Sequence, residues 1–310
     1  MISKATIKGR RSPLVAVATV FFFLANTVAV VATDTTPQQD QSTAYLIKGN
    51  DYLDKNMPQK ALGEFSRGLA IDPENPWLFL QRGIAHGMLG QFNDALRDFN
   101  KCIALDADLA EAYYSRGMVY ERLNEKNKAV EEYTKAIEAN RDYAEAYYNR
   151  GTMYYRKGIY DMAIADFQQA IGIKPDYAKA YFNMGVCQAA LDKNELALKS
   201  YTRAVELDPG NIPALMNRAR LYYDEERYFD AIDDYERIIA IDSTHADAHY
   251  SLGAVHEWLK QYDKSLAAYK KYIQFAPDSD SVRVADLEEH FLNVKNKQVR
   301  LGRDRKEAGD

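Results

Sequence analysis

The sequence predicts an all-α fold, a solenoid of seven helical hairpins closed by one further helix, and three observations carry that prediction. First, one pattern repeats every 34 residues without insertion from Ser42 to Ser279. Second, each repeat holds two apolar stripes at helical spacing: between Ala144 and Pro175, Tyr147, Gly151 and Tyr154 mark one and Ala163, Phe167 and Ala170 the other. Third, side-chain size is periodic. The eighth place holds Gly49, Gly83, Gly117, Gly151, Gly185 and Gly253, with Ala219 in the sixth repeat; the twentieth holds Ala61, Ala95, Ala129, Ala163, Ala197, Ala231 and Ser265. Four places later comes an aromatic in every repeat: Phe65, Phe99, Tyr133, Phe167, Tyr201, Tyr235 and Tyr269. Small residues at these places let the paired helices approach one another.

Each repeat reads as helix, stop, helix. Gly158 tolerates the left-handed conformation that ends a helix, Asp161 stands where it accepts from the free N–H groups of the next, and Pro175 ends that one. A helix of about 14 residues is only about 21 Å long. A hairpin of two such helices cannot bury its own apolar stripes, so the repeats must stack.

Charge follows the same register. The seventh place is basic in five repeats, Lys48, Arg82, Arg116, Arg150 and Arg218, and the twenty-third is acidic in the same five, Glu64, Asp98, Glu132, Asp166 and Asp234. The exceptions coincide, Met184 with Ser200 and Leu252 with Ala268. This pattern predicts an ion pair between the two helices of each such hairpin.

In chain order, residues 1–32 read as a signal peptide or N-terminal membrane anchor: Lys4, Lys8, Arg10 and Arg11 precede nineteen uncharged residues, Leu14 to Ala32. Thr27 and Ala29, or Val30 and Ala32, have the small side chains a signal peptidase needs before its cut. The expected location is therefore extracytoplasmic, periplasmic or secreted, or membrane-anchored by residues 14–32, with no other membrane contact. Residues 33–41 read as a polar linker and 42–279 as the seven repeats. Residues 280–299 read as a capping helix with Val284, Leu287, Phe291 and Val294 on one face, and 300–310 as a loose charged tail.

Several functions find no support. The net charge is −5, and because residues 1–32 hold four basic residues and no acid, the remainder carries −9, which argues against nucleic acid. There is no nucleophile elbow, no phosphate-cradling glycine loop and no CxxC pair, so no catalytic residue and no cofactor is assigned. Cys102 and Cys187 read as small buried hydrophobes. His245, His249 and His256 fall at i, i+4 and i+11, but the last two occupy places where other repeats put aromatics, so no metal site is assigned. The oligomeric state is left open.

A 34-residue two-helix period with small residues at the eighth and twentieth places and proline near its end resembles the tetratricopeptide repeat family, over about three quarters of the chain. The resemblance implies a right-handed solenoid whose first helices line a concave groove, and a protein or peptide as partner. On that geometry the groove collects Tyr114, Tyr148, Phe182 and Tyr250, expected half exposed as anchors for a partner, beside Asn149, Asn183 and Asn217, with Arg122, Arg156 and Tyr155 between them. The row of asparagines is similar to the ladder that holds extended peptide backbone in O-linked N-acetylglucosamine transferases; equally, asparagine is the family's commonest residue at that place. The clamp of chaperone adaptors for a C-terminal carboxylate fits poorly: Asn50 matches, but Leu46, Gln81, Glu111 and Ser115 stand where it needs lysine, asparagine, lysine and arginine. The expected function is an exported, non-enzymatic scaffold that binds proteins or extended peptides. The alternative is a chaperone-type adaptor or metal-binding accessory protein of an envelope assembly or enzyme complex.

Overall fold

The computed structural model describes residues 37–307, which form fifteen α-helices and one short 3-10 turn, with no strand among the described residues. The expected export segment lies outside them. No helix among the described residues is long and apolar enough to cross a membrane.

The described residues fall into two compact units, divided between Pro175 and Asp176. The first holds four hairpins: α1 (Pro37–Asp54) with α2 (Pro58–Ile71), α3 (Pro76–Met88) with α4 (Phe92–Leu105), α5 (Ala110–Arg122) with α6 (Lys126–Ala139), and α7 (Ala144–Arg156) with α8 (Tyr160–Ile173). The second holds three: α9 (Ala178–Ala190) with α10 (Asn194–Leu207), α11 (Ile212–Asp224) with α12 (Tyr228–Ile241), and α13 (Ala246–Trp258) with α14 (Tyr262–Phe275), followed by α15 (Ser281–Glu307). Within each unit every first helix packs on its own second helix, which packs on the next first helix, giving a helical-hairpin solenoid.

The stop between paired helices is a single backbone device. The fifteenth place has positive φ in all seven repeats: Asn56, Gly90, Asn124, Gly158, Asp192, Glu226 and Lys260, with φ between 53° and 74°. Around it the backbone closes a Schellman turn, as where the Ile159 N–H donates to Tyr154 O at 2.9 Å and the Gly158 N–H to Tyr155 O at 2.8 Å. Asp161 is not the cap of the next helix. The N-cap of α8 is Ile159, which makes no side-chain capping bond, and Asp161 lies inside the first turn, where its charge suits the helix dipole.

Hairpin closure depends on the glycine at the eighth place. A Cβ on Gly151 would come within 2.9 Å of Phe167 Cε1, and one on Gly253 within 2.6 Å of Tyr269 Cδ1, so the place-24 ring occupies the space the glycine leaves. Phe167 and Tyr269 are themselves fully buried.

All five expected ion pairs are present: Lys48–Glu64 at 3.2 Å, Arg82–Asp98 at 2.7 Å, Arg116–Glu132 at 2.5 Å, Arg150–Asp166 at 2.8 Å and Arg218–Asp234 at 2.7 Å. The arginines also bind backwards: Arg116 Nη1 donates to Asn100 Oδ1 at 2.6 Å, Arg150 Nη1 to Thr134 Oγ1 at 3.0 Å and Arg218 Nη1 to Thr202 Oγ1 at 3.2 Å. Each of these guanidinium groups thus joins three helices, which a lysine's point charge cannot do with fixed geometry. Burial pulls the Arg218 guanidinium down, but its bonds to Asp234 outweigh this and hold it above the ordinary arginine value. Where the pair is missing, Ser200 Oγ donates to Gln188 Oε1 at 2.7 Å in the fifth repeat, and Leu252 and Ala268 are both buried in the seventh.

Two boundaries differ from the sequence reading. Residues 37–41, expected in the linker, belong to α1, and α15 continues eight residues past Val299 into the expected tail. That extension is mostly Arg, Lys, Asp and Glu, and its arginines and lysine are good helix formers that need no apolar period. Leu287 and Val294 of α15 are buried. Leu287 stands 34 residues after Gly253, at the place where the repeats carry glycine or alanine, so α15 ends the stack by leaving no recess for another aromatic ring.

Candidate functional site

In the first unit the expected inner-wall residues come together around Tyr114. Its ring lies 4.9 Å from that of Tyr143 and 5.7 Å from that of Tyr133, and its hydroxyl accepts a 3.0 Å hydrogen bond from Asn149 Nδ2. Burial pushes the Tyr114 phenol up, so it stays a neutral hydroxyl. Asn149 is buried, and with its amide nitrogen engaged by Tyr114 it keeps Oδ1 for other partners. Tyr155 is partly buried, its ring 5.8 Å from that of Tyr160. Arg156 Nη1 donates to Glu121 Oε1 at 2.8 Å, and Glu121 Oε2 accepts from Tyr133 at 3.1 Å. Arg122 is exposed and forms no ion pair or hydrogen bond among the described residues.

In the second unit Phe182, Asn183, Asn217 and Tyr250 are all buried. Asn217 Oδ1 has no hydrogen-bond partner. One repeat back the residue corresponding to Tyr114 is Phe182, which has no hydroxyl, so the bond that Asn149 Nδ2 donates to Tyr114 has no counterpart at Asn217. Tyr250 is covered from α15, whose Arg283 guanidinium sits 5.4 Å from its ring centre.

The expectation that the four aromatics stand half exposed as anchors therefore needs correction. Tyr114 is partly buried; Tyr148, Phe182 and Tyr250 are only 5%, 2% and 6% exposed. The reason is internal packing, because each meets the place-24 ring of its own hairpin: Tyr114 on Tyr133 at 5.7 Å, Tyr148 on Phe167 at 5.8 Å, Phe182 on Tyr201 at 6.0 Å and Tyr250 on Tyr269 at 5.8 Å. The sequence reading did not name two residues of the second unit that the family geometry would put on the same wall, Arg220 and Trp258. Their signal was present, since both fall on groove-facing places, nine and thirteen.

The histidines have separate local tasks. His245 Nδ1 accepts from the Ala248 N–H at 3.2 Å and caps α13, His249 Nε2 lies 3.0 Å from Ser243 O, and His256 Nδ1 lies 2.9 Å from Gln261 Oε1. Among the described residues no cluster of three metal-ligating side chains occurs. Cys102 and Cys187 are buried free thiols, each pushed up to about 12 by burial.

Tetratricopeptide repeat models match residues 144–177, 178–211 and 247–279, and a TPR repeat model matches 88–124, 122–158 and 219–257, together more than half of the chain. No curated protein matches it. Among solved structures, MamA is 31% identical over 52% of this chain and 94% of its own, with a TM-score of 0.48. YrrB, a TPR protein with an unusual peptide-binding site, is 24% identical over 60% and 96%, with a TM-score of 0.53. The C-terminal part of a TPR repeat-containing protein from Cytophaga hutchinsonii is 17% identical over 75% and 96%, with a TM-score of 0.64.

Proposed function

Because the chain belongs to the tetratricopeptide repeat family, we propose that it is an exported, non-enzymatic scaffold that holds an extended segment of another protein along the inner walls of its first helices. The observation that carries this reading is the amide at Asn149, fixed by Tyr114 with its carbonyl oxygen left over. An amide locked by one internal bond presents a pre-oriented group to a peptide backbone, whatever the peptide's side chains. Asn183 and Asn217 occupy the same place in the next two repeats. The peptide-binding site described for YrrB supports the same class of ligand for this chain. Arg122 and Arg156 add cations at the thirteenth place, and Tyr155 adds a partly exposed ring. Buried as they are, Tyr148, Phe182 and Tyr250 support the wall from behind.

Export rests on the four basic residues and the uncharged run from Leu14 to Ala32. Mass spectrometry of the mature N-terminus tests it. A new terminus at Val30 or Thr33 means a released protein and an intact Met1 in the membrane fraction an anchored one, whereas intact protein in the cytosol refutes export. Binding is tested by selecting a random twelve-residue peptide display library on the folded chain. Selected peptides should lose at least about tenfold in affinity, or 1.4 kcal/mol, when Asn149, Asn183 and Asn217 are replaced by alanine in a chain that still folds. Undiminished affinity moves the site off the asparagines.

A further inference from the structure

We propose that the inner wall of the second unit carries a recognition point for an internal Asp or Glu side chain of the bound peptide, built on Arg220 with Asn217 and rimmed by Trp258. This rests on the peptide-scaffold reading and adds the partner's chemistry. Arg220 follows Asn217 by three residues on α11, so the two side chains are neighbours on one helical face. At the same place the other repeats hold Asn50, Ile84, Met118, Thr152, Val186 and Ala254. In no other repeat is that place charged.

The other arginines of the first helices are largely engaged. Arg82, Arg116, Arg150 and Arg218 bind the acid sixteen residues ahead, and Arg156 binds Glu121. Arg220 is partly buried and forms no ion pair or hydrogen bond among the described residues. The third and seventh repeats carry a glutamate at the twelfth place, Glu121 and Glu257, each accepting from its hairpin's place-24 tyrosine. In the sixth repeat that place holds Tyr223, so the carboxylate that would stand beside Arg220 is missing.

A second, independent feature lies next to it. Asn217 is 6% exposed and its Oδ1 is unpaired. A buried acceptor left without a partner costs about 1–3 kcal/mol, and a peptide N–H on the wall relieves that cost when the amide turns to meet it. Short side chains flank the pair at the corresponding place, Val186 before and Ala254 after, and leave room for a chain to lie across the guanidinium. Trp258 is 47% exposed and stands at the thirteenth place of the next first helix, a flat apolar surface for the same chain. A planar guanidinium with free N–H groups matches a carboxylate bidentately, and among peptide side chains only Asp and Glu supply that group. The chain's overall negative charge weakens this little, since salt screens it beyond about 8 Å.

The test is to select the random peptide library in parallel on the full chain and on its Arg220→Gln and Arg220→Lys variants, with circular dichroism confirming each fold. Wild-type selections should enrich Asp or Glu at one fixed position. The enrichment should vanish with Arg220→Gln and persist in reduced form with Arg220→Lys, and affinity for acidic peptides should fall at least about tenfold in the Gln variant. Peptides enriched without an acidic preference, or with the same preference on the Gln variant, overturn this proposal and leave the scaffold reading standing. No enrichment on the wild-type chain overturns both.

Discussion

Replacing Arg218 by leucine should be among the most damaging single changes in the second unit. The Arg218 and Asp234 side chains are 10% and 3% exposed, and they share two hydrogen bonds, Nε to Oδ2 at 2.8 Å and Nη2 to Oδ1 at 2.7 Å. Removing one partner strands a buried charge and costs about 3–5 kcal/mol. The chain contains the remedy: the seventh repeat has Leu252 and Ala268 at these two places, both buried. The double variant Arg218→Leu with Asp234→Ala should therefore lie within about 1.5 kcal/mol of the parent, because an apolar replacement removes the desolvation cost together with the attraction. A double-mutant cycle should give a coupling of at least about 2 kcal/mol. Lys48 and Glu64 serve as the control. The Lys48 side chain is 53% exposed, so the same cycle there should give only about 0–1 kcal/mol. The assay is urea unfolding followed by circular dichroism, with slopes compared first, because repeat arrays can lose two-state behaviour. A coupling below about 0.5 kcal/mol at Arg218, or equal couplings at the two pairs, refutes the claim that burial sets the strength of these pairs.

Lys260 holds φ 57° without being glycine, so Lys260→Gly should stabilise the chain by about 0.5–1 kcal/mol in the same unfolding assay, less any entropy gained by the unfolded chain. His256 is held below the ordinary histidine value, chiefly by burial. Its neutral form is thus favoured in the folded state, which makes its contribution complete above about pH 6.5 and lost as pH falls through the lower folded value. His256→Tyr, matching Tyr154 of the fourth repeat, should flatten the fall in Tm below that pH. Asn149→Ala should cost about 1 kcal/mol through the lost bond to Tyr114, whereas Asn217→Ala, which removes an unpaired amide oxygen, should be nearly neutral in thermal unfolding.

The repeat, the hairpin and the ion pairs were legible because each is written in every period, and a residue type that returns at 34-residue spacing reports a physical need. The turn was harder to read. Only Gly90 and Gly158 advertise positive φ, while Glu226 and Lys260 adopt it because the helices on either side are held by packing, and tertiary structure overrides local preference there. The exposure of the groove aromatics was misjudged for a related reason: their ring partners lie nineteen residues ahead on another helix, so Tyr148 and Phe182 read as surface residues until both helices are in place. Arg220 and the unpaired amide of Asn217 are departures from the period. A reading that rewards recurrence passes over the one place where a repeat differs from the others.

The central claim is that partners lie on the inner walls of the first helices, and photo-cross-linking tests it most directly. A peptide selected from the display library, carrying one photoreactive residue, is irradiated on the full chain and the attached residues are identified by mass spectrometry. The account predicts adducts within α5, α7, α9, α11 and α13, concentrated at groove-facing places such as those of Tyr155, Arg122, Arg220 and Trp258. Adducts confined to the second helices, α6, α8, α10, α12 and α14, would contradict it.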